Sequence, residues 1–207
     1  VSTESEIPEP EAPTMKETLE ISENFDGMYN SSNANDVTKL TNAGWGVWTN
    51  EPNTKVGFVT YNQNDRLLLT RNGQYNVVGA YTPFIDVKGG DKLIIKFDLY
   101  ASYVGGEHSL QLKGLTDSSD VSEFSSYPLL QTFSPTEKQT WQAMEWTVDI
   151  EEGTTQYAFA FALTGLNDSG SQYRIDNVEV YRLTVDEGDT PVENKLLGNT
   201  VTLGGKL

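Results

Sequence analysis

The sequence predicts an all-β fold built as a two-sheet antiparallel β-sandwich. Three observations predict it: apolar residues alternate with polar ones at a period of two, turn clusters (NQND, RNG, KGGD, VGG, EEG, NDSG) recur between them, and no stretch keeps a helical stripe. In DKLIIKFDLYAS, Leu93, Ile95, Phe97, Leu99 and Ala101 alternate with Ile94, Lys96, Asp98, Tyr100 and Ser102, the pattern of a half-buried strand. SLQLKG sets Leu110 and Leu112 inward and Ser109, Gln111 and Lys113 outward, and the Gly105-Gly106 turn between the two segments predicts a hairpin. MEWTVDI gathers Met144, Trp146, Val148 and Ile150 on one face, and EEGTTQ turns the chain. QYAFAFALTG then places Tyr157, Phe159, Phe161 and Leu163 inward, with Ala158, Ala160 and Ala162 outward. YRIDNVEVYRL, VGFVTY, DRLLLTR and AYTPFIDV supply the remaining strands. Their unequal lengths favour a jelly-roll over a closed barrel.

A chain of 207 residues can enclose one such core. Residues 1–17, with Pro8, Pro10 and Pro13 among glutamates, read as an acidic Pro-rich linker, because so little apolar surface cannot offset chain entropy. Residues 18–184 form the sandwich module. Residues 185–207 read as a C-terminal linker or the start of a neighbouring module. Linkers on both flanks are expected of a module from a multidomain protein. The first residues lack a basic start followed by an apolar run, as in a mature or trimmed chain.

Composition removes several classes of function. Thirty acidic residues against fourteen basic ones give a formal charge of −16, which repels nucleic-acid phosphates and anionic lipid. The absence of cysteine excludes disulfides, thiolate metal sites and a thiol nucleophile, and the single His108 excludes a multi-histidine centre within one chain. No paired-carboxylate run, serine elbow, phosphate loop or dinucleotide fingerprint is present, so a non-enzyme is expected. Glu145 and Asp149 share a strand face but stand four residues apart.

Four segments taken in order carry a resemblance: SENFDG, NAGWGVW, GAYTPFIDVKGGDKLIIKFDLYA and YRIDNVEVY, with TWQAMEWTVDIEEGTTQYAFAF between the last two. Together they resemble the bacterial jelly-roll carbohydrate-binding modules for xylan and β-glucan, and the adhesin-type sandwich modules of surface proteins. The resemblance covers residues 19–184. It implies a secreted or cell-surface location, tethered catalytic or surface domains, and a monomer. It also implies packing roles for Trp45 and Trp141, and a structural Ca²⁺ tying the first strand to the last through Asp26 of ENFDG and Asp176 of RIDNV, with Glu23 as a further ligand. The bland alternative is that Asp26 makes a turn with Gly27, and that Asp176 and Asn177 serve a local bulge.

The residues themselves add candidates for sugar contact. Flat rings suit the apolar faces of pyranoses, and amides or carboxylates suit hydroxyls. Trp146, Phe97, Phe159 and Phe161 are in phase with aliphatic neighbours and belong to the core. Trp48 and Tyr100 are out of phase, and Tyr61, Tyr81 and Tyr103 flank turns or strand ends. With Asp98 and Gln111 as hydrogen-bonding partners, Trp48, Tyr61, Tyr81 and Tyr100 are the expected carbohydrate contacts. Lys96, Asp98 and Tyr100 beside Ser109, Gln111 and Lys113 would then share one sheet face, next to a shallow groove left by the three outward alanines. The function expected is non-catalytic binding of a plant-type polysaccharide, xylan or β-glucan, that targets an attached enzyme or cell. The alternative is an adhesin or structural spacer making protein contacts.

Overall fold

The computed structural model describes residues 14–49, 55–71, 78–102, 109–121, 126–164 and 171–185. In chain order the elements are β1 (Met15–Glu23), α1 (Thr38–Asn42), β2 (Gly46–Thr49), β3 (Lys55–Tyr61), β4 (Asn64–Arg71), β5 (Val78–Tyr81), β6 (Ile85–Asp86), β7 (Lys92–Ala101), β8 (Ser109–Leu115), β9 (Leu129–Phe133), β10 (Trp141–Asp149), β11 (Gln156–Thr164) and β12 (Ser171–Val185). They form two six-stranded sheets. The first runs β10-β7-β12-β4-β3 with β1 also on β12, and the second runs β2-β5-β11-β8-β9 with β6 also on β11. Every pairing is antiparallel. This is the predicted jelly-roll sandwich.

The inward residues are those the period of two selects. Leu93, Ile95, Phe97 and Leu99 from β7 meet Phe159, Phe161 and Leu163 from β11 in the buried layer between the sheets. Phe97 packs edge-on to Phe161 at 5.0 Å and to Phe133 at 5.3 Å, so one ring ties β7 to both β11 and β9. Trp45 is buried as expected, and Trp146 packs against the same core.

Two expectations change. The segments around β7 and β8 do not make a hairpin: β7 belongs to the first sheet and β8 to the second, so the chain crosses the sandwich between them. β1 begins at Met15, inside the segment read as linker, because Met15 to Glu23 pair with Val185 to Val178 of β12. The polar insertion after Gly27 is fastened to the sandwich. Asn30 and Asp36 bond to each other and to nearby backbone amides, α1 follows, and the Ala34 carbonyl accepts from the Phe58 N–H at 2.8 Å, which fastens the insertion to β3. The remaining tails lie outside the described residues, as do Tyr103 and His108.

The FDG motif closes one end of the core. Phe25 adopts φ 60°, an uncommon left-handed conformation for a large residue, and is fully buried edge-on to Trp45 at 5.4 Å and 6.4 Å from Phe58. The Glu23 side chain accepts from the Phe25 N–H at 2.7 Å, and Gly27 at φ 79° completes the reversal. Replacing Phe25 with Ala removes both of these aromatic contacts and leaves a cavity. Phe25→Ala is expected to cost about 3–5 kcal/mol of unfolding free energy, read from urea denaturation. A loss under about 1 kcal/mol would mean that the motif does not anchor the core.

Candidate functional site

The expected sugar contacts fall on two different outer faces. Asp98 and Tyr100 lie on the outer side of the first sheet, with Tyr61 at its far edge, where it is 65% exposed beside the tight β3–β4 turn of Asn62 (φ 54°) and Gln63 (φ 64°). Trp48, Tyr81 and Gln111 lie on the outer side of the second sheet: Tyr81 and Gln111 face alanines of β11 across the ladder, and Trp48 pairs with Gly79. The predicted common face of Lys96, Asp98 and Tyr100 with Ser109, Gln111 and Lys113 is therefore not formed. A strand's alternation assigns its residues to two faces and leaves open which sheet the strand joins.

Nor is the alanine row a groove. Ala158, Ala160 and Ala162 are buried, because Trp48, Tyr81, Phe84, Val121 and Tyr127 pack onto them as a second small apolar cluster. Tyr81 lies so close over β2 that a Cβ added at Gly46 would sit 1.8 Å from its ring. Trp48 and Tyr81 are partly buried against the chain's own sheet. Lys113 is only 6% exposed there, and burial lowers its pKa.

The outer face of the first sheet is different. Trp141 of β10 and Tyr100 of β7 are cross-strand partners with ring centroids 5.3 Å apart, and Trp141 is 36% exposed. This corrects the packing role expected for Trp141. The inward residues of β10 are Met144, Trp146 and Val148, and Trp141 has the opposite parity, which its sequence position already carried. Two arginines flank the rings: the Arg66 guanidinium is 5.0 Å from the Trp141 centroid, and that of Arg174 is 4.8 Å from Tyr100.

One step along the same face lies an open depression of about 420 Å³, lined by Lys96, Phe97, Asp98, Ala143, Met144, Glu145, Asn177 and Glu179. Ala143 pairs with Asp98 and Glu145 with Lys96, so a small residue sits between the rings and a charged pair. The Lys96 ammonium is 3.8 Å from Glu145, the Asn177 amide donates to Asp98 at 2.8 Å, and the Tyr181 hydroxyl donates to Glu179 at 2.7 Å. Donors and acceptors for hydroxyl groups thus border a ring platform. Asn177 (φ 49°) forms a β-bulge in β12 opposite β7, and its N–H donates to Asp176 at 2.8 Å. Sequence reading missed Trp141 as an exposed ring, Arg66 and Arg174, whereas the bulge is the alternative it held for Asp176 and Asn177.

No family model matches the sequence, and no curated protein sequence matches it. Solved structures do resemble the fold. The CBM22-1 and GH10 modules of Clostridium thermocellum endo-1,4-β-D-xylanase 10B, complexed with xylohexaose, align at TM-score 0.51 and 12% identity over 79% of this chain. This chain covers 28% of that one. The K3 cleaved adhesin domain of Lys-gingipain from Porphyromonas gingivalis aligns at TM-score 0.50 and 16% identity, over 80% of this chain and 99% of the other. The chain has the jelly-roll fold of carbohydrate-binding modules. Adhesin domains share it.

The residues that the resemblance assigns to a structural calcium, Glu23, Asp26 and Asp176, have partners within the chain. Among the described residues no group of three or more histidine or acidic side chains is gathered that could hold a metal ion. Glu23 serves the Phe25 N–H, while Asp26 accepts from Asp65 N–H at 3.3 Å. Asp176 is only 4% exposed, with the Arg66 Nε 3.6 Å from its Oδ2. An arginine on the carboxylate is a poor neighbour for a divalent cation.

Burial raises the Asp176 pKa. The Asn177 N–H and then Arg66 counter that rise, and the nearby Asp26 and Asp98 carboxylates reinforce it. Between the ordinary carboxylate value of about 3.9 and this raised value, the folded chain keeps a proton that the unfolded chain has released. The group's contribution to stability therefore falls as pH rises through that window. Asp176→Asn keeps an acceptor for the Asn177 N–H and removes the titration. Urea denaturation from about pH 4 to 7 is expected to show the stability of Asp176→Asn, relative to wild type, improving with rising pH. A flat or falling difference would contradict burial as the dominant cause.

Proposed function

We propose that this chain is a non-catalytic carbohydrate-binding module that holds a polysaccharide across the outer face of the first sheet. The observation supporting this reading is the open depression beside Trp141 and Tyr100. Rings supply apolar area at low entropic cost, and the bordering amide, ammonium and carboxylates supply oriented polar groups. Tyr100 and Asp98 keep the roles expected of them, Trp141 and Asn177 join them, and Tyr61 extends the aromatic surface at the far edge. The ligand class proposed is a plant-type chain, xylan or β-glucan. Such polymers are met outside the cell, secreted or at its surface, and the module's effect is proximity. It raises the local concentration of glycan around whatever catalytic or surface domain it is tethered to.

A second reading has an observation of its own in favour. Trp, Tyr and Arg together, as in Trp141, Tyr100, Arg66 and Arg174, are the residues enriched at protein–protein hot spots. On that reading the same face docks a protein surface, as an adhesin or spacer module.

Affinity electrophoresis against xylan, β-glucan, mannan and pectin, with size-exclusion chromatography alongside, separates the two. Wild type is expected to be retarded by at least one glycan and to elute as a monomer. Trp141→Ala and Tyr100→Ala are each expected to weaken retardation about tenfold or more, equivalent to roughly 1.4 kcal/mol, whereas Trp48→Ala and Tyr81→Ala change it less than about twofold. Thermal melts of each variant separate lost binding from lost folding. Undiminished retardation of folded Trp141→Ala and Tyr100→Ala would remove this face from consideration. Absence of any glycan binding, with self-association through these rings, would favour the protein-contact reading.

A further inference from the structure

Arg174 stands apart from Arg66 and Arg182 in its partners. In a chain with thirty acidic side chains and fourteen basic ones, a cation near the sheet centre would be expected to find a carboxylate. Arg182 does, with Glu20 at 2.6 Å and Asp91 at 3.6 Å, and Arg66 has Asp176. Arg174 makes no ion pair or hydrogen bond with its side chain among the described residues, and its Nε is buried without a partner. Among the described residues its guanidinium lies against the Tyr100 ring.

The nearby carboxylates are committed elsewhere. Asp176, two residues along β12, receives Arg66 and the Asn177 N–H, and Asp98 receives the Asn177 amide. The bulge thus keeps Asn177 and the two aspartates occupied with one another. Arg174 sits in the same cross-strand row as Tyr100, and Tyr100 in turn pairs with Trp141. With adjacent strands about 4.8 Å apart, a sugar chain resting on the two rings would present its next substituent to the guanidinium.

Contact with Tyr100 holds the planar guanidinium in place while its terminal N–H donors remain free. A planar fork of that kind matches a carboxylate through two parallel hydrogen bonds, and matches a neutral hydroxyl less well. We propose that Arg174 recognises a carboxylate carried by the bound glycan, so that the site takes a polysaccharide bearing uronic-acid units. This rests on the carbohydrate reading above and names the ligand class within it. The overall negative charge of the protein opposes an acidic polymer only at long range, and at physiological salt that repulsion is screened beyond about 8 Å.

The test uses a matched pair of polymers: a glucuronic-acid-substituted xylan, and the same xylan with its carboxyl groups chemically reduced to alcohols. Binding is measured by calorimetry at fixed ionic strength. Wild type is expected to bind the acidic form about tenfold more tightly than the reduced form, the scale of a charge-assisted hydrogen-bond pair. Arg174→Gln is expected to bind the acidic and the reduced polymer equally, and Arg174→Lys to recover only part of the preference. A sulfated xylan, carrying a tetrahedral oxyanion, is expected to bind less tightly than the carboxylated one; equal or tighter binding would overturn the carboxylate assignment. Equal binding of both xylan forms by wild type, or a preference that survives in Arg174→Gln, would overturn the proposal and leave the carbohydrate reading standing. Failure of wild type to bind either xylan would overturn the xylan-based reading and this proposal together.

Discussion

Much of this architecture depends on one irregularity, the bulge at Asn177 in β12. β12 is the longest strand and lies at the centre of the first sheet, with β7 along one side and β4 followed by β1 along the other. Before the bulge Tyr173 and Ile175 point inward; after it Val178 and Val180 do, so the inward parity changes from odd to even within one strand. Without the extra residue, either the first or second half of β12 would turn its apolar side to water. The bulge also brings Asp176 and Asn177 against Asp98, draws Arg66 toward Asp176, and thereby helps to hold Arg66 near Trp141. Core continuity and the arrangement of the outer face share a cause.

The sequence carried the sandwich clearly because period-two alternation is a direct consequence of strand geometry and each strand needs only one buried face. It identified the inward residues of β7, β10 and β11 correctly. Which strands lie side by side was a different question. A short Gly-containing connection looks alike whether it returns the chain to the same sheet or carries it across the sandwich, and β7 to β8 makes the crossing. That ambiguity put Gln111 on the other sheet from Asp98 and Tyr100. Trp141 was legible by parity alone, yet a tryptophan's usual preference for burial outweighed the phase of its strand. The bulge was signalled only by the pair Asp176-Asn177, which was read first as a metal ligand and its neighbour and only in the alternative as a bulge.

The two outer faces also show why small residues opposite large ones do not by themselves make a groove. On the second sheet the three alanines of β11 receive Tyr81 and Trp48 from neighbouring strands, and Val121 and Tyr127 from the β8–β9 connection. Burying this apolar surface is favourable, and rings near enough to cover it do so. On the first sheet Ala143 has charged and polar neighbours, Lys96, Asp98, Glu145 and Asn177, which are held in pairs across the strands. Those groups gain nothing by collapsing onto a methyl group, so the space above Ala143 stays open to solvent.

The same pairing shapes what such a face can bind. Lys96 with Glu145 and Asp98 with Asn177 already satisfy one another in part, so their geometry is set before a ligand arrives and little side-chain entropy remains to be lost. An incoming hydroxyl competes with water for the remaining donor and acceptor positions, and each exchange yields little net free energy. The stronger discrimination must come from groups whose hydrogen-bonding capacity the protein leaves unused, or from the exposed area of Trp141. A site built this way favours a repeating ligand, in which many modest contacts accumulate along a chain, over a compact one that can reach only a few of them.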